Sequence, residues 1–359
     1  MKNNSRSSLI FIGPIALKGK AALGGFESAN RNMIDFLERN DIEVKEKRYP
    51  DARSNILKKL SQYLLRYLNI YISCILMRKK DILCATPMNR RFIFLELIYF
   101  IIAKFKKNKI IIIMKGGRQI DDYNRFSSIY KLLYRFIIRS ANLVFYEIKD
   151  YSYFEKYKSN GAKFIYLPNC SEHIHHKNNK QSHSFLYVGL INEDKGCLHA
   201  INTFKKIKNS LINAELNFVG RCSRGMQEKI IQNKHLDINY LGEKSVYELK
   251  DIYAKHQFFI FLSKYYGEGQ SVALTESLNY GCIPIVTIHR GNADVIGEYG
   301  IAFEDRDNFE QNSKQIINYI KTSNLHEQKE YYINHFKKNY SNDFVLKRFL
   351  DGYKVLVND

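Results

Sequence analysis

Short apolar runs and longer segments with helical spacing alternate along the whole chain. Residues 8–13, 42–47, 81–85, 109–114, 142–146 and 162–167 read as strands of the first half. Between them, residues 26–40 carry Ile34 and Leu37 on one side. Residues 55–77 place Leu57, Leu60, Leu64, Leu65, Leu68, Ile72 and Leu76 at helical spacing. Residues 90–104 and 125–140 continue the helical pattern. The second half repeats the alternation. Strands are expected at 184–189, 216–220, 238–242, 258–262 and 283–287, and helices after 196, from Ser245 and at 270–280. Helices from Asn308 and Glu327 and at 344–356 follow. Strand and helix alternating in both halves predicts an α/β chain of two parallel, doubly wound sheets facing a cleft.

A length of 359 residues suits two domains. The first is expected over 1–170, closed by Pro168-Asn169. Residues 171–183, rich in Asn, Lys and His, read as a linker, and the second domain runs over 184–340. Six cysteines at 74, 84, 170, 197, 222 and 282 form no paired pattern, which favours a reducing cytoplasm over a disulfide framework. The N-terminus shows no signal peptide pattern. The longest apolar stretch, 92–103, contains Glu96 and is too short to span a bilayer.

Charge changes the picture more than composition does. The net +20 is concentrated in residues 1–177, where 33 Lys and Arg face 15 Asp and Glu; residues 178–359 hold 23 against 21. One basic half suggests an anionic partner surface. The helical segments 55–77 and 90–104 mix Arg and Lys with Tyr, Phe and Leu. Two readings fit them: a face lying against an anionic membrane, or a core-facing helix with a solvated basic side. A nucleic-acid-binding protein is the third use of such charge. No nucleic-acid motif is visible, and the basic residues are interleaved with core aliphatics.

Candidate chemistry gathers around residues 258–303. Glu268 closes a Gly-flanked loop at the carboxyl end of an apolar strand, and Glu276 stands eight residues later on the next helix. Both acids can then face one crevice where open α/β sheets hold ligands. The helix start, at Gly269, Gln270 and Ser271, offers free amides to a phosphate or a sugar. Residues 8–25 form a strand and a Gly-containing loop with Lys18, Lys20 and Gly24-Gly25, which is not a dinucleotide fingerprint. His173, His175, His176 and His183 with Cys170 fit no closed zinc pattern. Asp305-Arg306-Asp307 looks like a metal-binding Asp-x-Asp, but its place between a strand and a helix reads as a cap and turn.

Gly267-Glu268-Gly269, Glu276-Ser277-Leu278 and Gly281-Cys282-Ile283-Pro284 together resemble the signature of the family 4 glycosyltransferases with the GT-B fold. The resemblance is strong over 184–304 and looser over 1–170. It implies two Rossmann-like domains, a last helix (341–359) returning to the first, and retaining, metal-independent transfer from a nucleotide-sugar without a cofactor. In those terms Lys195, after Val188-Gly189, holds the donor diphosphate. Glu276 holds the ribose, and Glu268 with the amides of Gly269, Gln270 and Ser271 holds the sugar. Gly24 and Gly25 let the backbone approach donor and acceptor. Leu190 stands where the family has Arg, with Arg221 as a substitute cation. Lys115 stands where the family often has His, and Asp294 where it often has Glu. The resemblance points to UDP- or GDP-linked donors, a glycan or polyprenyl-diphosphate-linked acceptor, and bacterial O-antigen or capsule synthesis on the inner face of the plasma membrane. A related epimerase of sugar nucleotides is the alternative enzyme.

Overall fold

The computed structural model describes residues 7–18, 24–49, 56–87, 92–174 and 180–358, with side chains in the helix starting at Ile56 described from Ser61 onward. The chain divides into two compact units: Met1–Pro168 with Val345–Asp359, and Asn169–Phe344.

The first unit is built on six parallel strands: β1 (Ser8–Gly13), β2 (Glu43–Arg48), β3 (Ile82–Ala85), β4 (Lys109–Met114), β5 (Leu143–Tyr146) and β6 (Lys163–Tyr166). They lie in the order β2-β1-β3-β4-β5-β6. β1, β3 and β4 are apolar and buried almost throughout, as strands covered on both faces must be. The helices are α1 (Gly25–Arg39), α2 (Ile56–Ile75), α3 (Ile93–Phe105), α4 (Gln119–Arg125) and α5 (Ser128–Ser140). The helix expected over 125–140 is α5, which starts three residues later, and α4 ahead of it was not read from the sequence. Ser127 sets that start, its side chain accepting from Tyr130 N as the cap of α5. A 3-10 helix at Lys149–Tyr157, absent from the sequence reading, buries Tyr151 and Phe154.

The apolar spacing of α2 was real, but its orientation is the reverse of a core-facing leucine stripe. Tyr67, Ile70 and Cys74 face the core, with Tyr63 and Tyr71 packed against it, while Leu64, Leu65, Leu68, Ile72 and Leu76 are exposed.

The second unit holds β7 (Gln181–Val188), β8 (Glu215–Val219), β9 (Ile238–Tyr240), β10 (His256–Phe261), β11 (Ile283–Thr287) and β12 (Ile301–Phe303). All are parallel, in the order β12-β11-β10-β7-β8-β9. Its helices are α6 (Cys197–Lys208), α7 (Arg224–Gln232), α8 (Val246–Lys255), α9 (Val272–Asn279), α10 (Asn292–Val295), α11 (Phe309–Thr322) and α12 (Leu325–Asn339). α13 (Asn342–Asn358) follows. α7 was not legible in the sequence. α10 carries Asp294 in its first turn. α8 opens with a full capping box, Ser245 and Glu248 each serving the other's backbone. The strand order reverses direction between β7 and β10, so the crevice outside their carboxyl ends is the natural ligand position of this sheet.

Candidate active site

Glycines set how closely the loops meet at that crevice. Gly189, after β7, has φ +148°, and a Cβ on Gly220 would lie 2.1 Å from the Gly189 carbonyl oxygen. Gly196 caps the start of α6 in the left-handed region at φ +77°, where a Cβ would lie 2.0 Å from the Leu262 oxygen. The first turn of α6 therefore abuts the end of β10. A guanidinium nitrogen of Arg306 donates to the same Leu262 carbonyl at 3.1 Å. This junction delivers Lys195, one residue ahead of Gly196, to the loop that follows β10.

There Lys195 Nζ meets Glu268 Oε2 at 2.6 Å, with their side chains 17% and 10% exposed. Ser263 Oγ donates to the same carboxylate oxygen at 3.1 Å, and the ammonium stands 4.4 Å from the centre of the Tyr265 ring. The loop is braced from within. Tyr265 N donates to Ser263 Oγ at 3.2 Å, and Glu268 N to the Tyr265 carbonyl at 2.9 Å. It is also braced from β11 and the loop after it. Thr287 Oγ1 donates to the Ser263 carbonyl at 2.7 Å, and His289 Nε2 lies 3.0 Å from the Tyr265 carbonyl. Burial lowers the His289 pKa, so the ring is neutral at pH 7 and its Nε2 is the donor. A half-dry ion pair of this kind is held by geometry, since desolvation offsets much of its Coulomb gain.

The following helix is fixed as tightly. Ser271 caps α9 through its hydroxyl, and its own amide donates to Asn292 Oδ1 at 3.0 Å. Asn292 is fully buried, and its Nδ2 has no hydrogen-bond partner. Gln270 is tied to Asn169: Asn169 N donates to Gln270 Oε1 at 2.6 Å and Asn169 Nδ2 to the Gln270 carbonyl at 2.8 Å. Gly269 is buried beside them. Glu276 is half-buried and accepts from the Tyr253 hydroxyl at 3.4 Å. Burial pushes its carboxyl up to about 7, against the opposing effect of that hydrogen bond.

The structure thus brings Lys195 and Glu268 into direct contact across 73 positions of sequence. Arg221 and Leu190 are exposed beside the Gly189 junction, where Ile191 N donates to the Arg221 carbonyl at 2.8 Å. Asp294 lies in α10, its carbonyl accepting from Tyr340. Asp305 Oδ1 accepts from Asp307 N, while Asp307 Oδ1 meets His199 Nε2 at 2.9 Å; Asn308 is the cap of α11. His173 pairs with Asn279, and His175 and His176 lie outside the described residues. Among the described residues no group of three or more His, Cys, Asp or Glu is placed to hold a metal. In the first unit, Gly24 caps α1 and is exposed, as is Gly25. Lys115 is buried at the end of β4, its ammonium 6.0 Å from the Phe26 ring centre. Sequence reasoning missed Ser263, Tyr265, Tyr253, His289 and Asn292. The first two sit inside the loop already singled out for Glu268.

Residues 171–336, all within the second unit, match the family described as Glycosyl transferases group 1. No curated protein matches the sequence. Solved structures resemble it in fold. Sucrose-phosphate synthase from Thermosynechococcus elongatus aligns with a TM-score of 0.70 at 12% identity, over 98% of this chain and 99% of that one. Anabaena HepE in complex with UDP gives 0.68 at 11%, over 97% and 100%. The pneumococcal O-GlcNAc transferase GtfA, in complex with UDP and GlcNAc, gives 0.65 at 13%, over 81% of this chain and 60% of that one. The chain spans about 60% of the length of GtfA and of two further relatives that align alongside it. The fold is therefore the GT-B type, two doubly wound α/β units.

Proposed function

We propose that this chain transfers a sugar from a UDP- or GDP-linked donor to a glycan or lipid-linked acceptor, as a family 4 enzyme that retains anomeric configuration and needs no metal. The observation that carries the reading is the Lys195–Glu268 pair at the β7/β10 crevice, inside the stretch that matches group 1 glycosyl transferases. Breaking a sugar–phosphate bond leaves negative charge on the departing diphosphate. Lys195 is the cation to neutralise it, in a site dry enough for one charge to matter. Glu268 is the acceptor for sugar hydroxyls, and Glu276, with Tyr253 behind it, the acceptor for the ribose hydroxyls. UDP as the nucleotude carrier is supported by the complexes of HepE and GtfA. The charge of residues 1–177, 33 basic against 15 acidic, supports a phosphate-bearing, lipid-linked acceptor of the bacterial surface-polysaccharide kind at the inner face of the membrane.

The test is a thermal-shift screen of UDP-, GDP- and ADP-sugars, followed by product analysis with the donor that binds. A donor at about 100 times its Kd stabilises the fold by about 2.7 kcal/mol. Release of nucleoside diphosphate that depends on an added acceptor is the expected result. An epimerised sugar formed without acceptor, or no stabilisation by any nucleotide-sugar, sinks the proposal.

A further inference from the structure

α2, α3 and α5 pack side by side over one face of the first sheet, and each carries a second apolar stripe pointing away from it. On α2 the stripe is Leu64, Leu65, Leu68, Ile72 and Ile75, continued by Leu76 just after the helix, all within about a third of the helix circumference and opposite Tyr67, Ile70 and Cys74. On α3 it is Phe94, Ile98, Ile101 and Phe105, opposite Tyr99, Phe100 and Ala103. Ile129 and Leu132 extend it onto α5. A surface helix that is apolar on both sides needs a second apolar environment.

The stripe converges at one end. Lys106 Nζ donates to the Ile75 carbonyl at 2.8 Å, which sets the carboxyl ends of α2 and α3 beside each other. Leu76, 74% exposed, and Phe105, 88% exposed, therefore stand at the same end of the layer. Exposed Lys79, Lys80, Lys104 and Lys107 belong to these same chain ends. Lys104 also lies 5.6 Å from the Phe136 ring of α5. On the flank of α2, Leu65 and Arg66 line a cavity of about 420 Å3 with Lys47, Arg48 and Glu46. Along the three helices the sequence holds one carboxylate, Glu96, and it is buried.

We propose that this face docks on an anionic lipid bilayer, with the leucine and phenylalanine side chains below the phosphate plane and the lysines in it. Charge selects this occupant over a second copy of the chain. A symmetric pair would bring the lysines of two such faces into one interface, with no exposed acid on the helices to pair with them. No helix among the described residues is long and apolar enough to cross a membrane, so the contact is interfacial. The inference rests on the membrane side of the proposed function and names the surface for it, while vesicle binding is read separately from transfer.

The experiment is co-sedimentation of the full chain with vesicles of equal parts phosphatidylglycerol and phosphatidylcholine, against phosphatidylcholine alone. Binding to the anionic vesicles is expected at low salt, with release in about 0.5 M NaCl. Two variants are compared, Leu76→Ser/Phe105→Ser and Lys79→Glu/Lys80→Glu/Lys104→Glu/Lys107→Glu. Each is expected to weaken the partition at least tenfold while its thermal unfolding stays near that of the wild type. No binding to anionic vesicles, equal binding to phosphatidylcholine, or unaffected binding by both variants overturns the proposal. So does a dimer in sedimentation equilibrium that Leu76→Ser/Phe105→Ser dissociates, since the face then belongs to a second copy.

Discussion

Both sheets reverse their strand order once, and the two reversal points are put to different uses. In the first unit the reversal lies between β1 and β3. There Asn30 Nδ2 donates to Thr86 Oγ1 at 3.3 Å and to the Pro14 carbonyl at 2.8 Å, and both side chains are buried. A Cβ on Gly13 would lie 1.9 Å from Thr86 Oγ1. Among the described residues, a buried amide, a hydroxyl and a carbonyl meet at this point. In the second unit the corresponding point holds an ammonium on a carboxylate. Topology supplies the same opening twice, and the residues described at it differ between the two units.

Lys195→Ala is the sharpest way to break this contrast. A single cation facing a departing diphosphate is worth about 10²- to 10³-fold in kcat, read in a transfer assay with the donor found by the screen. Thr86→Val at the reversal point of the first unit should leave kcat unchanged and lower stability by about 1–2 kcal/mol in urea unfolding. Activity that survives Lys195→Ala, or falls with Thr86→Val, ends the comparison.

Gly196→Ala comes next. The backbone at φ +77° and the 2.0 Å approach to the Leu262 oxygen leave no place for a methyl group, so a loss of about 2–4 kcal/mol is expected in the same measurement.

The two acids separate by kinetics. Glu268→Gln should lower kcat about tenfold, because the donor sugar assigned to Glu268 is the group that gains positive charge in the transition state. Glu276→Gln should mainly raise the donor KM, by about five- to tenfold. Unchanged values for both would make these carboxylates structural.

The smallest effect is a pH dependence. Burial raises the Glu276 carboxyl from an ordinary 4.5 to about 7. Below 4.5 both folded and unfolded chains hold the proton. Between 4.5 and 7 the folded chain alone holds it, so stability falls as pH rises through this window. Glu276→Gln removes that loss. Its Tm relative to the wild type should rise between pH 5 and pH 8; a flat difference would show the carboxyl to be solvated.

The strands of both sheets were legible because buried parallel strands are short, apolar and flanked by glycine or polar loops, as at Lys109–Met114 and Ile283–Thr287. Glu268 and Lys195 were each legible through the motif around them. Their contact was not, because nothing local in either loop encodes a partner 73 positions away. α7 escaped because Arg224–Gln232 is mostly polar and buries Met226 and Ile230 alone. α2 gives the clearest lesson. Periodicity showed a helix with an apolar stripe, but two stripes were present, and tyrosines rather than leucines won the core. A tyrosine fills more volume and can satisfy its hydroxyl inside, as Tyr49 and Tyr99 do at 2.9 Å beside Glu96.

The lysine bound to Glu268 has one further consequence under glycosyl transfer. At rest the ammonium of Lys195 and the Oε2 oxygen of Glu268 occupy each other. A neutral sugar has nothing with which to displace the carboxylate from the ammonium. A diphosphate does, and in taking Lys195 it releases Glu268 Oε2 toward the hydroxyls of the sugar it carries. Recognition of the sugar is then conditional on recognition of its carrier. Under the proposed transfer, the loop would act as a coincidence detector, answering to the two signals only when they arrive on one molecule.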